Sequence, residues 1–279
     1  MLLTSRNYHI QIREYTFTVE SLPVAADGYR ICFLSDLHIG SIRSLDDQVC
    51  RLVESVEFDV LLLGGDYFEG PVPAFQRMRF AQRLVAAVGQ RAPVLAVFGN
   101  HDTNAIADEF VQAGIRSIEE TWVDLAPVNA GGSQASGIRI HGAGLSLAGV
   151  THLKHGPRQS PDCCNILLTH SPDFAFVARD RGYDLYLCGH THAGQVCLPG
   201  GRMIMRGTKM PRRICARQWQ LDGMAGYTSP GIGTSILPLR VNCPPEAAVI
   251  TLRASARDGL NSEENRARSD ARISASSAS

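Results

Sequence analysis

The 279-residue sequence predicts an α/β layered sandwich, and three observations carry that expectation. Short apolar runs of strand length alternate with segments of helical period up to Gly114. From Trp122 onward, Gly-rich turns separate further extended runs. The composition, 44% hydrophobic and 19% charged, is that of a globular chain long enough to bury a sizeable core. Alternation followed by strand-rich stretches favours two packed sheets over one doubly wound sheet.

The runs at 30–35, 59–63, 93–98, 165–169 and 184–188 read as buried strands, each short, apolar and ending in polar residues. Between the first two, Ser44-x-x-Asp47 resembles a capping box that opens a helix with Val49, Leu52, Val53 and Val56 on its apolar face. In 75–88, Phe80, Leu84, Val85 and Val88 recur at helical spacing. A third helix, 104–112, is closed by Gly114 as its C-terminal cap. Extended runs at 137–141, 225–229 and 247–252 are expected to build the second sheet. In 254–279, 13 of 26 residues are Ala or Ser and only Leu260 and Ile273 are large and apolar. Such a segment cannot offset its ordering entropy, so a disordered tail is expected there, with a single domain over 1–253 whose folded part starts near residue 14.

Charge excludes some functions. With 27 Lys+Arg against 27 Asp+Glu, the chain has no global attraction for nucleic acid, and an anionic substrate must be met by a local site. No run approaches the roughly 18 apolar residues of a membrane span, and the first residues lack a charged segment followed by an apolar one, so a cytoplasmic location is expected. The eight cysteines contain no Cys-x-x-Cys and read as free structural thiols, Cys32 and Cys188 lying inside strand-like runs.

The chemistry is concentrated at strand ends. Ser35-Asp36-Leu37-His38 follows the first strand, Gly64-Gly65-Asp66 the second and Gly99-Asn100-His101-Asp102 the third; His170 follows the fourth and Gly189-His190-Thr191-His192 the fifth. Five strand ends thus deliver carboxylate, amide or imidazole groups to one sheet edge, where open α/β sheets build ligand sites. Oxygen donors mixed with imidazoles suit Mn, Fe or Zn better than calcium. Seven donors exceed the needs of one ion, and two ions sharing a carboxylate would use them all.

Asp36-x-His38, Gly65-Asp66, Gly99-Asn100-His101-Asp102, His170 and Gly189-His190-x-His192 together resemble the five-motif signature of the calcineurin-like metallophosphoesterases. The resemblance spans about residues 30–250 and implies a four-layer α/β/β/α sandwich of two mixed sheets flanked by helices. It implies two divalent metal ions, one held by Asp36, His38, Asp66 and His192, the other by Asp66, Asn100, His170 and His190. It further implies phosphodiester or pyrophosphate hydrolysis by a hydroxide shared between the ions, with His101 protonating the leaving oxygen and Asp102 orienting its ring. The family's usual Gly-Gly-Gln after the last motif is Ala193-Gly194-Gln195 here.

A second similarity, in Tyr227-Thr228-Ser229-Pro230-Gly231-Ile232-Gly233, Leu237-Pro238-Leu239-Arg240 and Cys243-Pro244-Pro245-Glu246, is to small bacterial phosphodiesterases and UDP-2,3-diacylglucosamine pyrophosphohydrolases of lipid A synthesis. It implies a small phosphorylated substrate, with a nucleotide-lipid as the specific candidate and peripheral contact with the inner membrane. The rival readings are a noncatalytic metal-binding scaffold of the same fold and a nuclease.

Other features have plainer explanations. Asp102 could instead cap the helix near Asn104. His141, His152 and His155 read as surface residues, and His9 receives no role. The basic run Arg206, Lys209, Arg212 and Arg213 reads as a solvated face or as the site mouth. The interleaved Met203, Ile204, Met205 and Met210 read chiefly as packing, with an acyl-chain or membrane-surface contact as the alternative.

Overall fold

A computed structural model describes residues 2–4, 7–125, 137–144, 163–205 and 207–255. In chain order the strands and main helices are β1 (Leu2–Thr4), β2 (Gln11–Val19), β3 (Arg30–Leu34), α1 (Leu45–Ser55), β4 (Val60–Leu63), α2 (Ala74–Val88), β5 (Val94–Ala96), α3 (Asn104–Ala113), β6 (Arg116–Ser117), β7 (Trp122–Leu125), β8 (Ile138–Ala143), β9 (Cys164–Thr169), β10 (Leu185–Cys188), β11 (Cys197–Leu198), β12 (Arg202–Met203), β13 (Arg217–Leu221), β14 (Met224–Thr228), β15 (Leu239–Val241) and β16 (Glu246–Ala254). A short helix, Ala175–Asp180, precedes β10.

The strands form two mixed six-stranded sheets, ordered β2-β16-β3-β4-β5-β6 and β13-β14-β10-β9-β8-β7. The alternation of side chains across a strand explains the layers. Leu61 and Leu63 of β4 pack toward α1, α2 and α3 with Val49, Val53, Phe80, Leu84 and Phe110. Val60 and Leu62 face the second sheet, meeting Ile140, Ile166, Leu168 and Leu187 in the core between the sheets. On the outer side of that sheet, Leu167, Tyr186 and Cys188 are covered by Phe174, Ala175, Ala178 and Trp219. Central strands buried on both faces must be apolar throughout, which is why β4 reads Val-Leu-Leu-Leu. The expected sandwich of two mixed sheets flanked by helices is the fold observed.

The five strands read around the motifs are all present, as are the helices at 75–88 and 104–112. Gly114 caps α3 at φ 100°, donating to Val111 O while Ile115 N–H reaches Phe110 O. All eight cysteines are free and buried, and burial pushes the Cys32 thiol up to about 12.

Four expectations are corrected. Ser44 does not cap α1 through its side chain; it sits at φ 57°, and Asp47 pairs with Arg83 at 2.5 Å instead. The run at 247–252 joins the first sheet: β16 lies between β2, to which it is parallel, and β3, to which it is antiparallel. The ordered chain begins well before residue 14, because β2 starts at Gln11 and β1 pairs with β15. An edge strand exposed over most of its length, as β2 is, lacks the apolar run that marks a buried strand. Last, His141 is a core residue of β8, packed edge-on against Tyr183 with ring centroids 5.2 Å apart. His152, His155, Arg206 and, past Ser255, the expected tail lie outside the described residues. Among the described residues no helix is long and apolar enough to cross a membrane.

Candidate metal centre

The parallel strands β3, β4 and β5 of one sheet and β9 and β10 of the other end on the same side, and the five motif loops leave from those ends. The turns are sharp. Asp36, His38, Asp66, His190 and His192 all have positive φ, between 39° and 69°, a conformation that costs a non-glycine residue and recurs at functional sites. Two glycines are required by close approach. A Cβ at Gly99 would stand 2.2 Å from Oδ1 of Asp66, and one at Gly189 would stand 2.0 Å from Oγ of Ser35 and 2.2 Å from Oδ2 of Asp36.

Two acid–imidazole clusters result, Asp36 with His38 and His192, and Asp66 with His170 and His190. In the first, Nε2 of His192 lies 3.4 Å from Oδ1 of Asp36 and 3.2 Å from Nε2 of His38. In the second, Nε2 of His170 lies 3.2 Å from Oδ2 of Asp66 and 3.3 Å from Nδ1 of His190. Asp66 joins them, because the same Oδ2 is 3.7 Å from Nε2 of His38. Its other oxygen accepts the His101 N–H at 2.9 Å, which fixes the carboxylate plane.

Burial and neighbouring charge set the protonation of these groups. Burial pushes Asp36 up to about 6, opposed by the His170 charge. It lowers His38 to about 4, against the pull of Asp66, and it lowers His190 with help from His170. For His192, burial and then the adjacent Arg240 guanidinium hold the ring well below its ordinary range. Burial opposes the Asp66–His170 ion pair as well, but their hydrogen bond and mutual charge outweigh it, holding Asp66 below the usual carboxylate range and raising His170 to about 9. The nitrogens of His38 and His192 face one another at 3.2 Å and those of His170 and His190 at 3.3 Å beside carboxylate oxygens; with the His170 proton given up these become converging lone pairs, a chemistry that fits divalent first-row ions.

Asn100 is exposed in the turn after Gly99, in the loop that leaves β5. His101 follows it, its side chain 38% exposed, at the mouth. Asp102 does not face the His101 ring: Oδ2 accepts from the N–H groups of Asp66 (2.7 Å) and Gly99 (2.8 Å), and Oδ1 from Tyr67 (2.9 Å). It ties the end of β4 to the end of β5. Nor does it cap α3, whose N-cap is Thr103.

Two site residues receive no role in the sequence, although Arg240 falls within the second similarity. Oε2 of Glu69 lies 2.6 Å from Nδ1 of His38 and 4.0 Å from Nδ1 of His101, making a third acid–imidazole group. Its position three residues after Asp66, in the same strand-end loop, was the available signal. Arg240 is fully buried, donating to the carbonyl of Gly233 and to the Tyr8 hydroxyl, with Nη2 3.3 Å from Nδ1 of His192.

Over 242 residues the chain is 29% identical to phosphodiesterase YaeI of Escherichia coli, covering 81% of this chain and 83% of that protein. It is 27% identical over 255 residues to the uncharacterized metallophosphoesterase YkuE of Bacillus subtilis, covering 88% and 86%. The solved structure of TT1561 of Thermus thermophilus superposes with a TM-score of 0.49 at 14% identity, over 73% of this chain and 90% of that one. The calcineurin-like phosphoesterase model matches residues 29–194, a stretch that contains β3 through β10 and every motif loop, so the chain belongs to the calcineurin-like phosphoesterase family.

Proposed function

We propose that this metal-dependent phosphoesterase uses two divalent ions to hydrolyse phosphodiester or pyrophosphate bonds in a small phosphorylated substrate. Asp36, His38, Asp66 and His192 would hold one ion, and Asp66, Asn100, His170 and His190 the other. The observation that carries this reading is the single Oδ2 of Asp66 lying 3.2 Å from His170 and 3.7 Å from His38, one buried oxygen between two acid–imidazole clusters. Mn, Fe or Zn suits that donor set. Bound there, the ions supply an ionised water near neutral pH and charge neutralisation at phosphorus.

The chain's own residues do the rest. His101, exposed at the mouth, stands where it can give a proton to the leaving oxygen. Glu69, with Oε2 2.6 Å from Nδ1 of His38 and 4.0 Å from that of His101, would orient the His38 ring and place negative charge near His101. Asp102 fixes the strand-end loops by accepting three backbone N–H groups. The name of the relative YaeI supports a diester over a monoester. UDP-2,3-diacylglucosamine is the specific candidate, supported by the exposed Ile204 and Met205 beside the basic run that follows the last motif.

The test is hydrolysis of bis-p-nitrophenyl phosphate beside p-nitrophenyl phosphate by chelator-stripped protein, with Mn, Fe(II) or Zn restored and Asp66→Ala as control. Metal-dependent cleavage of the diester, absent from the control, is expected. A full chain that binds no metal would overturn the reading in favour of a scaffold.

A further inference from the structure

Outside the two main sheets, four short strands form a strip beside the metal centre. β12 pairs with β11, Val196 just before β11 bridges to Val241 of β15, and β15 pairs with β1. The register puts alternate residues on opposite faces. Leu3, Arg240, Cys197 and Met203 point inward and are buried. Opposite them, Leu2 pairs with Val241, Val241 with Val196, and Leu198 lies two residues beyond Val196, so these four share the outward face. That face is apolar where a solvent-exposed sheet is ordinarily polar, and Leu2 and Leu198 are 54% and 48% exposed.

The chain leaving the strip extends the same surface. Ile204 and Met205 follow β12, and Ile236 and Leu237 precede β15; Ile236 is 90% exposed and Met205 75%. Large side chains so exposed, gathered on one strip and its flanks, mark an interaction surface.

Charge identifies the partner. In a chain of zero net charge, segments 1–13, 195–221 and 229–245, which supply the strip and its flanks, contain no Asp or Glu at all. Their cations include Arg202, opposite Leu198 on the outward face, and the exposed Lys209, Arg212 and Arg213 in the loop after β12. These segments themselves bring cations and no carboxylate to the face, the adjacent Asp173 being taken by Thr208 of the loop after β12, so a two-fold interface with its own copy would set cation against cation. The face is complementary to an apolar layer with an anionic surface.

We propose that this strip docks the protein on the surface of an anionic phospholipid bilayer, Ile204, Met205, Ile236 and Leu237 entering the headgroup region and the cations meeting lipid phosphates. Docking would bring the metal centre close to the membrane. The strip begins at Val196, four residues after His192; Arg240 on its inner face reaches the His192 ring; and a Cβ at Gly207, in the loop after β12, would stand 3.8 Å from Nε2 of His190. The docking itself does not depend on the phosphoesterase reading.

Co-sedimentation of the full chain with large unilamellar vesicles tests it, using phosphatidylglycerol–phosphatidylethanolamine against phosphatidylcholine. Binding to the anionic vesicles is expected, at least tenfold above the neutral ones and weakened by salt. The double variant Ile236→Ser/Leu237→Ser is expected to bind at least tenfold more weakly, as is Arg202→Glu. Both should keep the wild-type rate on soluble bis-p-nitrophenyl phosphate, which separates failed docking from failed catalysis. Equal sedimentation with both vesicles, wild-type binding by both variants, or a dimer in analytical ultracentrifugation that Ile236→Ser abolishes would each overturn the proposal.

Discussion

Oε2 of Glu69 lies 2.6 Å from Nδ1 of His38, and both atoms are buried away from solvent. A carboxylate on the far nitrogen of a metal-ligating imidazole orients the ring and raises its basicity, leaving Nε2 directed at the ion. The contact matters more here because the same oxygen lies 4.0 Å from the His101 ring.

Removing that carboxylate should therefore weaken metal binding without unfolding the protein. For Glu69→Ala we expect about 10–100-fold lower metal affinity or activity. Glu69→Gln, which keeps an oxygen beside Nδ1 without the charge, should recover part of the affinity. Titration of the stripped protein with metal, followed by calorimetry, reads this directly. Unchanged affinity in Glu69→Ala would show that His38 needs no such support.

His101 and Asp66 should separate turnover from metal retention. Asp66→Ala removes the one oxygen shared by both clusters and should lose metal and activity together. His101→Ala should keep the metal and lose about 10²–10⁴-fold in turnover, the range of general acid catalysis. Metal content by elemental analysis beside the diesterase rate distinguishes them. A His101→Ala protein with full turnover at matched metal content removes His101 from the acid role.

Asp102 should act on stability first. Asp102→Ala leaves three backbone N–H groups at the strand ends without their acceptor, at about 1–3 kcal/mol for each one that stays buried and unpaired. Asp102→Asn keeps one acceptor oxygen and should fall between. Thermal melts of the metal-free proteins should rank wild type above Asp102→Asn above Asp102→Ala; a melting point unchanged in Asp102→Ala would mean that water replaces the carboxylate.

Metal binding should release a proton. His170, raised to about 9 by Asp66, carries a proton at neutral pH, whereas a ligand must be neutral. His38, lowered to about 4, has none to lose. Metal affinity should accordingly rise with pH through neutrality and level off above about 9, and fall more steeply below about 6, where Asp36 also protonates. Calorimetry in buffers of different ionisation enthalpy should find about one proton released at pH 7. Zero release would place the His170 proton elsewhere.

Gly99→Ala should disable the centre with little effect on the rest of the fold. The new methyl carbon would meet Oδ1 of Asp66 at 2.2 Å, well inside contact distance, so the carboxylate must swing away. Loss of metal with an unchanged far-ultraviolet circular dichroism spectrum is expected. Retention of metal would show that the β5 turn can yield.

The central strands and the seven proposed ligands were legible in the chain because both signals are local. An apolar run such as Val60–Leu63 marks a strand buried on both faces, and the polar residues directly after it must lie at that strand's end. When strands end in acids, an amide and imidazoles, parallel pairing brings their loops together within each sheet, β3 with β4 and β5, and β9 with β10; that the two sets meet, instead of lining one sheet edge as the sequence suggests, is decided by the packing of the two sheets. Helix α3 was equally local, its end written in Gly114.

What tertiary structure decided depends on partners distant in sequence. Ser44 and Asp47 have the spacing of a capping box, but Arg83 on α2 takes Asp47 and the local bond is not made. β16 carries the apolar pattern of any buried strand, and only its pairing with β2 and β3 assigns it to the first sheet. Asp102, adjacent to His101 in the chain, turns to three backbone amides, because a buried carboxylate is held best by several convergent donors. Arg240, forty-eight residues from His192, reaches its ring only because β15 folds back beside the last motif. Sequence period determines which residues are buried and where strands end; which polar group answers which is set by packing, since a hydrogen bond or an ion pair is decided by distance in space and leaves no period along the chain.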